Sequence, residues 1–213
     1  MSRRLRTTKV EAPADGRLPP GPTGSHVATV QQSDWIARWL GNPAGPARLL
    51  DFACGSGRHC RLAASRGFRV LAVDRDRTML DSIQGKNIET RAEDLECGRW
   101  SFSAERFEVV VVTNFLHRPR LDLLAGLLAP GGRLLYETFA AGNEAYGKPS
   151  RPAFLLQRDE LFMLARRAGL LVLAFEQGYT GLPKPALMQR LAAIRPPHDP
   201  ESMPLGNPSS LLS

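Results

Sequence analysis

No apolar run in the 213 residues approaches the roughly 18 needed to span a bilayer. The opening MSRRLRTTKVEAPADG is basic and lacks the apolar stretch of a secretory signal, so the expected location is the cytoplasm, with no membrane partner. Cysteine is scarce as well. Cys54, Cys60 and Cys97 are an odd number without an export signal, which reads as reduced thiols and not a disulfide framework. Cys54, His59 and Cys60 crowd together, but there is no CxxC pair and no second ligand cluster, so no metal site is expected. Acidic residues are outnumbered, 21 against 28 basic ones, for a formal net charge of +7. Part of the excess lies at the start, where Arg3, Arg4, Arg6, Lys9 and Arg17 outnumber Glu11 and Asp15. Such an arm either docks an acidic partner through its charge or is a solvated tail. There is no internal repeat.

Residues 1–28, rich in Pro, Gly and charge, are expected to be a disordered arm; 29–196 to be one folded domain; and 197–213 to be a flexible tail. The domain opens with a helix capped by Ser33, with Trp35, Ile36, Trp39 and Leu40 on one stripe and Gly41 and Pro43 after it. Trp39 is expected in the core and Trp35 in the core or over a ligand. The chain then alternates. Strand patterns at ARLLDFA, FRVLAVD, IETRAED, FEVVVVTNFL and RLLYETF are separated by helix patterns, including DRTMLDSIQG and RLDLLAGLLA. A helix over QRDELFMLARRAG leads to two last strands, LLVLAFEQGY and PALMQRLAAIRP, joined by a TGLPK turn short enough for an antiparallel hairpin. This order predicts a doubly wound, mostly parallel α/β sheet whose ligands bind at the carboxyl ends of the strands.

The loop after the first strand, DFACGSGRHC, begins like three kinds of nucleotide loop. A phosphate-binding P-loop needs Gly-Lys-Ser/Thr, and here Gly57 is followed by Arg58 and His59. A dinucleotide loop needs a third glycine, and Cys60 stands there. Asp51, just ahead of the turn, would repel a pyrophosphate but suits an ammonium or a loop-orienting role. Gly55 and Gly57 let backbone come close to a ligand. Asp74, closing the second strand, is suited to accept from two ribose hydroxyls, while Asp76 is the better helix cap.

Taken together, LLDFACGSGRHCRLAASRGFRVLAVDRD resembles motifs I and II of class I S-adenosylmethionine-dependent methyltransferases: an acidic residue, x-G-x-G, then an acidic residue ending strand two. The likeness continues through RAEDLE, VVVVTNFLHRP and LAPGGRLL, over about residues 30–195. Within that superfamily, TNFLHRP and ETFAAGNEAYGKPSRPAFLLQRDEL are similar to small bacterial methyltransferases of the tellurite-resistance type, or types 11 and 12. The resemblance implies a seven-stranded Rossmann-like sheet, with S-adenosyl-L-methionine as cofactor. It places Asp51 and the backbone of Ala53, Cys54, Gly55, Ser56 and Gly57 at the methionine end. Asp74 falls at the ribose. Arg75, Glu93, Asp94 and Leu95 fall at the adenine, with Asp94 accepting from its amino group. Thr113 and Asn114 fall beside the methyl.

Asn114 is followed by Phe115 and not by the two prolines usual in base-amino methyltransferases, which counts against that chemistry. Asn114, His117 and Arg118 are the catalytic candidates, His117 as a base and Arg118 either as an anchor for an anionic acceptor or as a partner of a protein carboxylate. Tyr136, Glu137, Tyr146 and Lys148 could also reach an acceptor, and AAGNEAYGKPSRP is a lid or a plain crossover. The expected function is methyl transfer to a small molecule. The alternatives are an RNA or protein methyltransferase docking through its basic arm, and a non-catalytic adenosylmethionine-binding protein. Nucleic acid is a secondary partner, not a favoured one.

Overall fold

The computed structural model describes residues 31–197; the expected arm and nearly all of the expected tail lie outside the described residues. Helix α1 (Asp34–Leu40) starts where Ser33 Oγ accepts from the Ile36 N–H at 3.4 Å, and it buries Trp35, Ile36 and Leu40. Trp35 therefore belongs to the core. The first half of the sheet is β1 (Arg48–Phe52), β2 (Arg69–Asp74), β3 (Ile88–Ala92) and β4 (Phe107–Thr113), interleaved with α2 (Arg58–Ser65) and α3 (Arg77–Asp81). After α4 (Leu121–Gly126) come β5 (Leu128–Phe139), α5 (Glu160–Arg167), β6 (Leu171–Thr180) and β7 (Ala186–Ile194). The seven strands lie in the order β3-β2-β1-β4-β5-β7-β6. β1 to β5 pair in parallel, and β7 runs antiparallel to both its neighbours, so the expected hairpin forms one edge.

The valines of β4 show why the sheet holds. Side chains alternate across a strand, so Val110 and Val112 enter the core that α4 and α5 cover, while Val109 and Val111 enter the one beneath α1, α2 and α3. All four are buried, each contributing about 1.5–3 kcal/mol over an exposed valine. An apolar residue at every position is what a strand covered on both faces requires.

Two helices are shorter than their sequence patterns. α3 begins as expected, with Asp76 Oδ1 accepting from Met79 N–H at 3.2 Å, but stops at Asp81 where Ser82 Oγ donates back to the Met79 carbonyl at 2.6 Å. α4 ends at Gly126, and the expected helical residues Leu128 and Ala129 open β5 instead. Pro130 cannot extend a helix. Leu128 pairs with Phe107, and the register then jumps to Val109 opposite Arg133, leaving the Pro-Gly-Gly as an irregularity in the strand.

Candidate active site

The loops after β1, β2 and β4 meet at one end of the sheet. Ala53 turns the chain out of β1 with φ 60, a left-handed backbone that side-chain-bearing residues seldom adopt. Gly55 (φ 53) donates its N–H to Asp74 Oδ2 at 2.8 Å and has open space where a Cβ would stand. Gly57 (φ 71) starts α2, and a Cβ there would sit 2.7 Å from Ile83 Cδ1. One glycine leaves room for a ligand; the other leaves room for the protein.

Asp51 lies beneath this loop, fully buried. Its Oδ2 accepts from the Cys60 thiol at 3.0 Å, and Oδ1 has no partner among the described residues. Burial raises its carboxyl to about 6, against the downward pull of the Cys60 hydrogen bond and of Arg58. The neighbouring Cys54 thiol and burial push the Cys60 thiol well up, which keeps it a donor.

A cavity of about 250 Å³ lies beside the loop, lined by Ala53, Asp74, Arg75, Asp94, Leu95, Glu96, Asn114 and Phe115. Six of these are candidates from the sequence; Glu96 and Phe115 are additions. Asp74 is held by two backbone donors, Gly55 and Asp76 (3.0 Å). Asp94 is exposed, and the N–H groups of Glu96 and Cys97 on its Oδ1 hold its carboxyl below the usual range. Arg75 pairs with Glu96 at 3.4 Å. Glu93 instead takes the Ser101 hydroxyl at 2.7 Å and does not line the cavity. Asp51, Cys54, Gly55, Ser56, Gly57 and Thr113 also fall outside the lining. The unpartnered oxygen of Asp51, the open face of Gly55 and the carboxylates of Asp74 and Asp94 fit a ligand with a ribose and cationic groups. They fit S-adenosylmethionine.

A second cavity, about 680 Å³, opens between β5, β7 and the segment after β5. Its lining includes Asn114, Glu137, Asn143, Tyr146, Lys148 and Arg190. Asn114, at φ 53 directly after β4, is the residue common to both cavities. Asn143 pins the post-β5 segment in place: its Nδ2 donates to Pro149 O at 2.9 Å and its Oδ1 accepts from Leu187 N–H at 3.1 Å.

A buried polar chain supports this floor. Arg190 Nε lies 2.8 Å from Glu137 Oε2, an ion pair whose N–H is not aligned for a hydrogen bond. Ser33 Oγ donates to the same oxygen at 3.0 Å, and Ser33 N–H donates to His59 Nε2 at 3.1 Å. Burial, aided by Arg58, lowers His59 to about 3, so the ring is neutral. With Nε2 accepting, the proton is on Nδ1, which faces Thr113 Oγ1 at 3.4 Å. From the sequence Ser33 is a helix cap, Glu137 a strand-end carboxylate that could reach an acceptor, and His59 part of a cluster not expected to hold a metal; nothing there links the three. Arg190 carries no local signal at all.

Two of the catalytic candidates, Arg118 and His117, lie outside the lining of both cavities, and for Arg118 the expected alternative of a protein carboxylate partner is what the structure shows. Arg118 binds Glu160 with Nε at 2.7 Å and Nη2 at 2.8 Å, and donates to the carbonyls of Ala153 and Leu155. It clips the turn after β4 to the start of α5, and a guanidinium so engaged does not face an acceptor. His117 precedes the Arg118–Arg120 turn, and its ring lines neither cavity. Tyr136 is buried with its hydroxyl on the Phe115 carbonyl at 2.8 Å.

Residues 49–132 match the family model described as a methyltransferase domain. The chain is 30% identical to the tRNA U34 carboxymethyltransferase of Alcanivorax borkumensis over 66% of this chain and 48% of that protein. It is 34% identical to the ribosomal protein L11 methyltransferase of Xylella fastidiosa over 60% of this chain and 45% of that protein. It therefore spans about half the length of these relatives. Among solved structures, TehB from Haemophilus influenzae superposes with a TM-score of 0.65 at 17% identity, covering 80% of this chain and 64% of that one. A Mesorhizobium loti S-adenosylmethionine-dependent methyltransferase gives 0.58 at 17% identity, covering 75% and 96%. At such identities the structures speak for the fold. The chain shares the fold of these structures, and its residues 49–132, which carry the glycine loop facing Asp74, match a methyltransferase domain.

Proposed function

We propose that this chain transfers the methyl group of S-adenosylmethionine to a small-molecule acceptor held in the larger cavity. One observation carries the reading: two cavities, one suited to the cofactor and one of about 680 Å³, share Asn114 at the end of β4. A volume of that order suits a small ligand. When bound, the cofactor supplies an already electrophilic methyl. The protein's task is then proximity and alignment. Asp74 would hold the ribose, Asp94 and Leu95 the adenine, and the Ala53–Gly57 backbone the methionine end, with Asp51 beneath it. Asn114 offers an amide to orient the acceptor, and Thr113, fixed by His59, sets the position of Asn114 on the strand. No carboxylate other than Glu137 lines the larger cavity, and Glu137 is engaged by Arg190 and Ser33. Acid–base help from Glu137 is thus secondary to positioning.

Similarity to a tRNA and to a ribosomal-protein methyltransferase, with a net charge of +7, favours a second reading in which the acceptor is RNA or protein. Labelled-methyl transfer into a cell extract separates the two. Label in the metabolite fraction supports the first reading, and label in RNA or protein the second. Tight adenosylmethionine binding by calorimetry without transfer to any fraction would overturn both.

A further inference from the structure

The larger cavity is lined by cations and apolar side chains. Arg58, Lys148, Lys184 and Arg190 contribute positive charge, while Glu137 is the single carboxylate in the lining. Arg190 is neutralised, lying against Glu137 at 2.8 Å and Glu176 at 3.3 Å. The other three are not. Arg58 is half-buried, donates to the Gln31 carbonyl at 3.2 Å and makes no ion pair among the described residues. Lys148 and Lys184 are exposed, have no ion-pair partner among the described residues, and stand on different segments, one after β5 and the other in the β6–β7 turn. Nothing local in the sequence brings them together; they converge only through the fold. The lining also holds the apolar side chains of Phe139, Met188 and Ala186, the last two buried, beside the buried Glu137 and Asn143. Tyr146, packed on Tyr179 with ring centroids 5.4 Å apart, completes it.

Unpaired cations beside apolar side chains select a ligand that carries its charge at one end. A cationic acceptor would be repelled by all three cations, and a neutral one would gain nothing from them. We propose that the acceptor is an organic anion, a carboxylate or phosphate on an apolar, ring-sized body, held by Arg58, Lys148 and Lys184. This rests on the larger cavity being the acceptor site. The anion binds to these cations, and the apolar body packs on the apolar side chains of the lining.

The test uses the full chain with S-adenosylmethionine present, and four probes of one shape: benzoate, phenyl phosphate, benzyl alcohol and benzylamine. Calorimetry or saturation-transfer NMR should show an anion binding at least tenfold more tightly than the alcohol, with benzylamine weakest. Benzoate and phenyl phosphate distinguish which anion is preferred. The double variant K148A/K184A changes two exposed side chains, so it should melt with the parent. It should weaken the preferred anion tenfold or more and leave adenosylmethionine affinity unchanged. If the parent binds adenosylmethionine but takes benzylamine or benzyl alcohol as well as the anions, the anionic class is wrong and the methyltransferase reading survives. Unchanged anion affinity in the double variant also overturns the proposal. Failure to bind adenosylmethionine at all would instead sink the underlying reading.

Discussion

The two cavities that meet at Asn114 are built from opposite materials. The smaller is lined by Asp74, Asp94 and Glu96 against one arginine; the larger by Arg58, Lys148, Lys184 and Arg190 against one glutamate. Their supports differ as well. The acidic side is assembled from neighbouring β-α turns of a parallel sheet, with Asp74 and Asp94 held by backbone N–H groups and Glu96 by the Arg75 side chain. The basic side is assembled from antiparallel strands and long connections, and its one carboxylate is held by side chains far away in sequence, Ser33 and Arg190. A methyl donor with cationic groups and an acceptor with an anionic one would be sorted by this division of charge before either is positioned.

The largest expected effect tests the basic side's support. Glu137→Ala takes from the Ser33 hydroxyl its only acceptor among the described residues and leaves Arg190 with the exposed Glu176 alone. Removing one partner of a buried pair costs about 3–5 kcal/mol when the other charge is left alone; with 26% of the Arg190 side chain exposed and Glu176 still beside it, a smaller loss, about 2–3 kcal/mol, is expected. Urea unfolding measures it. A loss below about 1 kcal/mol, the scale of a surface pair, would mean that the chain Ser33–Glu137–Arg190 is ornamental to the fold. The acidic side should respond differently: Asp74→Ala should weaken adenosylmethionine by about tenfold to a hundredfold, the value of one charge-assisted hydrogen-bonding group, while anion affinity in the other cavity is retained. Equal losses at both sites would erase the distinction between them.

The same division decides what could be read from sequence. The meeting of Gly55 with Asp74 was within reach of the sequence because both fall within one β-α-β unit, whose order brings the loop after β1 beside the end of β2. The basic side was not. Glu137 meets Arg190 because the antiparallel register of β5 and β7 sets them opposite each other, and a register is not written in either strand alone. His59 reaches Ser33 and Thr113 across 26 and 54 residues. Arg118 was read either as an anchor for an anionic acceptor or as a partner of a protein carboxylate; the second holds, but which carboxylate, Glu160, 42 residues on, only the fold shows. The helix pattern over α4 was overridden by pairing of Leu128 with Phe107, since a run of Leu and Ala suits either structure and the buried strand position won.

Stability against pH separates the two supports again. His59 falls from an ordinary 6.5 to about 3, so between those values the unfolded chain carries the extra proton. Its contribution is complete above 6.5 and is lost as pH drops toward 3. Asp51 rises from 3.8 to about 6, so there the folded chain carries the extra proton. Its contribution is complete below 3.8 and is lost as pH climbs through 6. Between about pH 4 and 6 the two oppose each other, each with a slope of at most about 1.4 kcal/mol per pH unit. Relative to the parent, His59→Gln should lose stability as pH rises from 4 to 6, and Asp51→Asn should gain it. Denaturant melts at pH 4, 5 and 6 read both slopes, and two differences of the same sign would contradict the assignment.

The smallest effect lies at Ala53, where the acidic side carries a strain that the basic side's loop glycines do not. At φ 60 its Cβ costs about 1–2 kcal/mol in the left-handed region. Glycine relieves that cost but adds unfolded-chain entropy of about 0.5–1 kcal/mol. Ala53→Gly should therefore stabilise the protein by up to about 1 kcal/mol, a rise of about 2–4 °C in melting temperature for a chain of this size. The same change removes the only methyl that the turn places in the smaller cavity's lining. Because Asp74 and the Gly55 N–H are untouched, adenosylmethionine affinity should stay within about threefold, well under the 1.4 kcal/mol of a tenfold change. A destabilised Ala53→Gly would mean that the Cβ packs favourably enough to outweigh its backbone strain. A large change in cofactor affinity alone, with stability raised as expected, would assign that methyl a direct part in shaping the cofactor's seat.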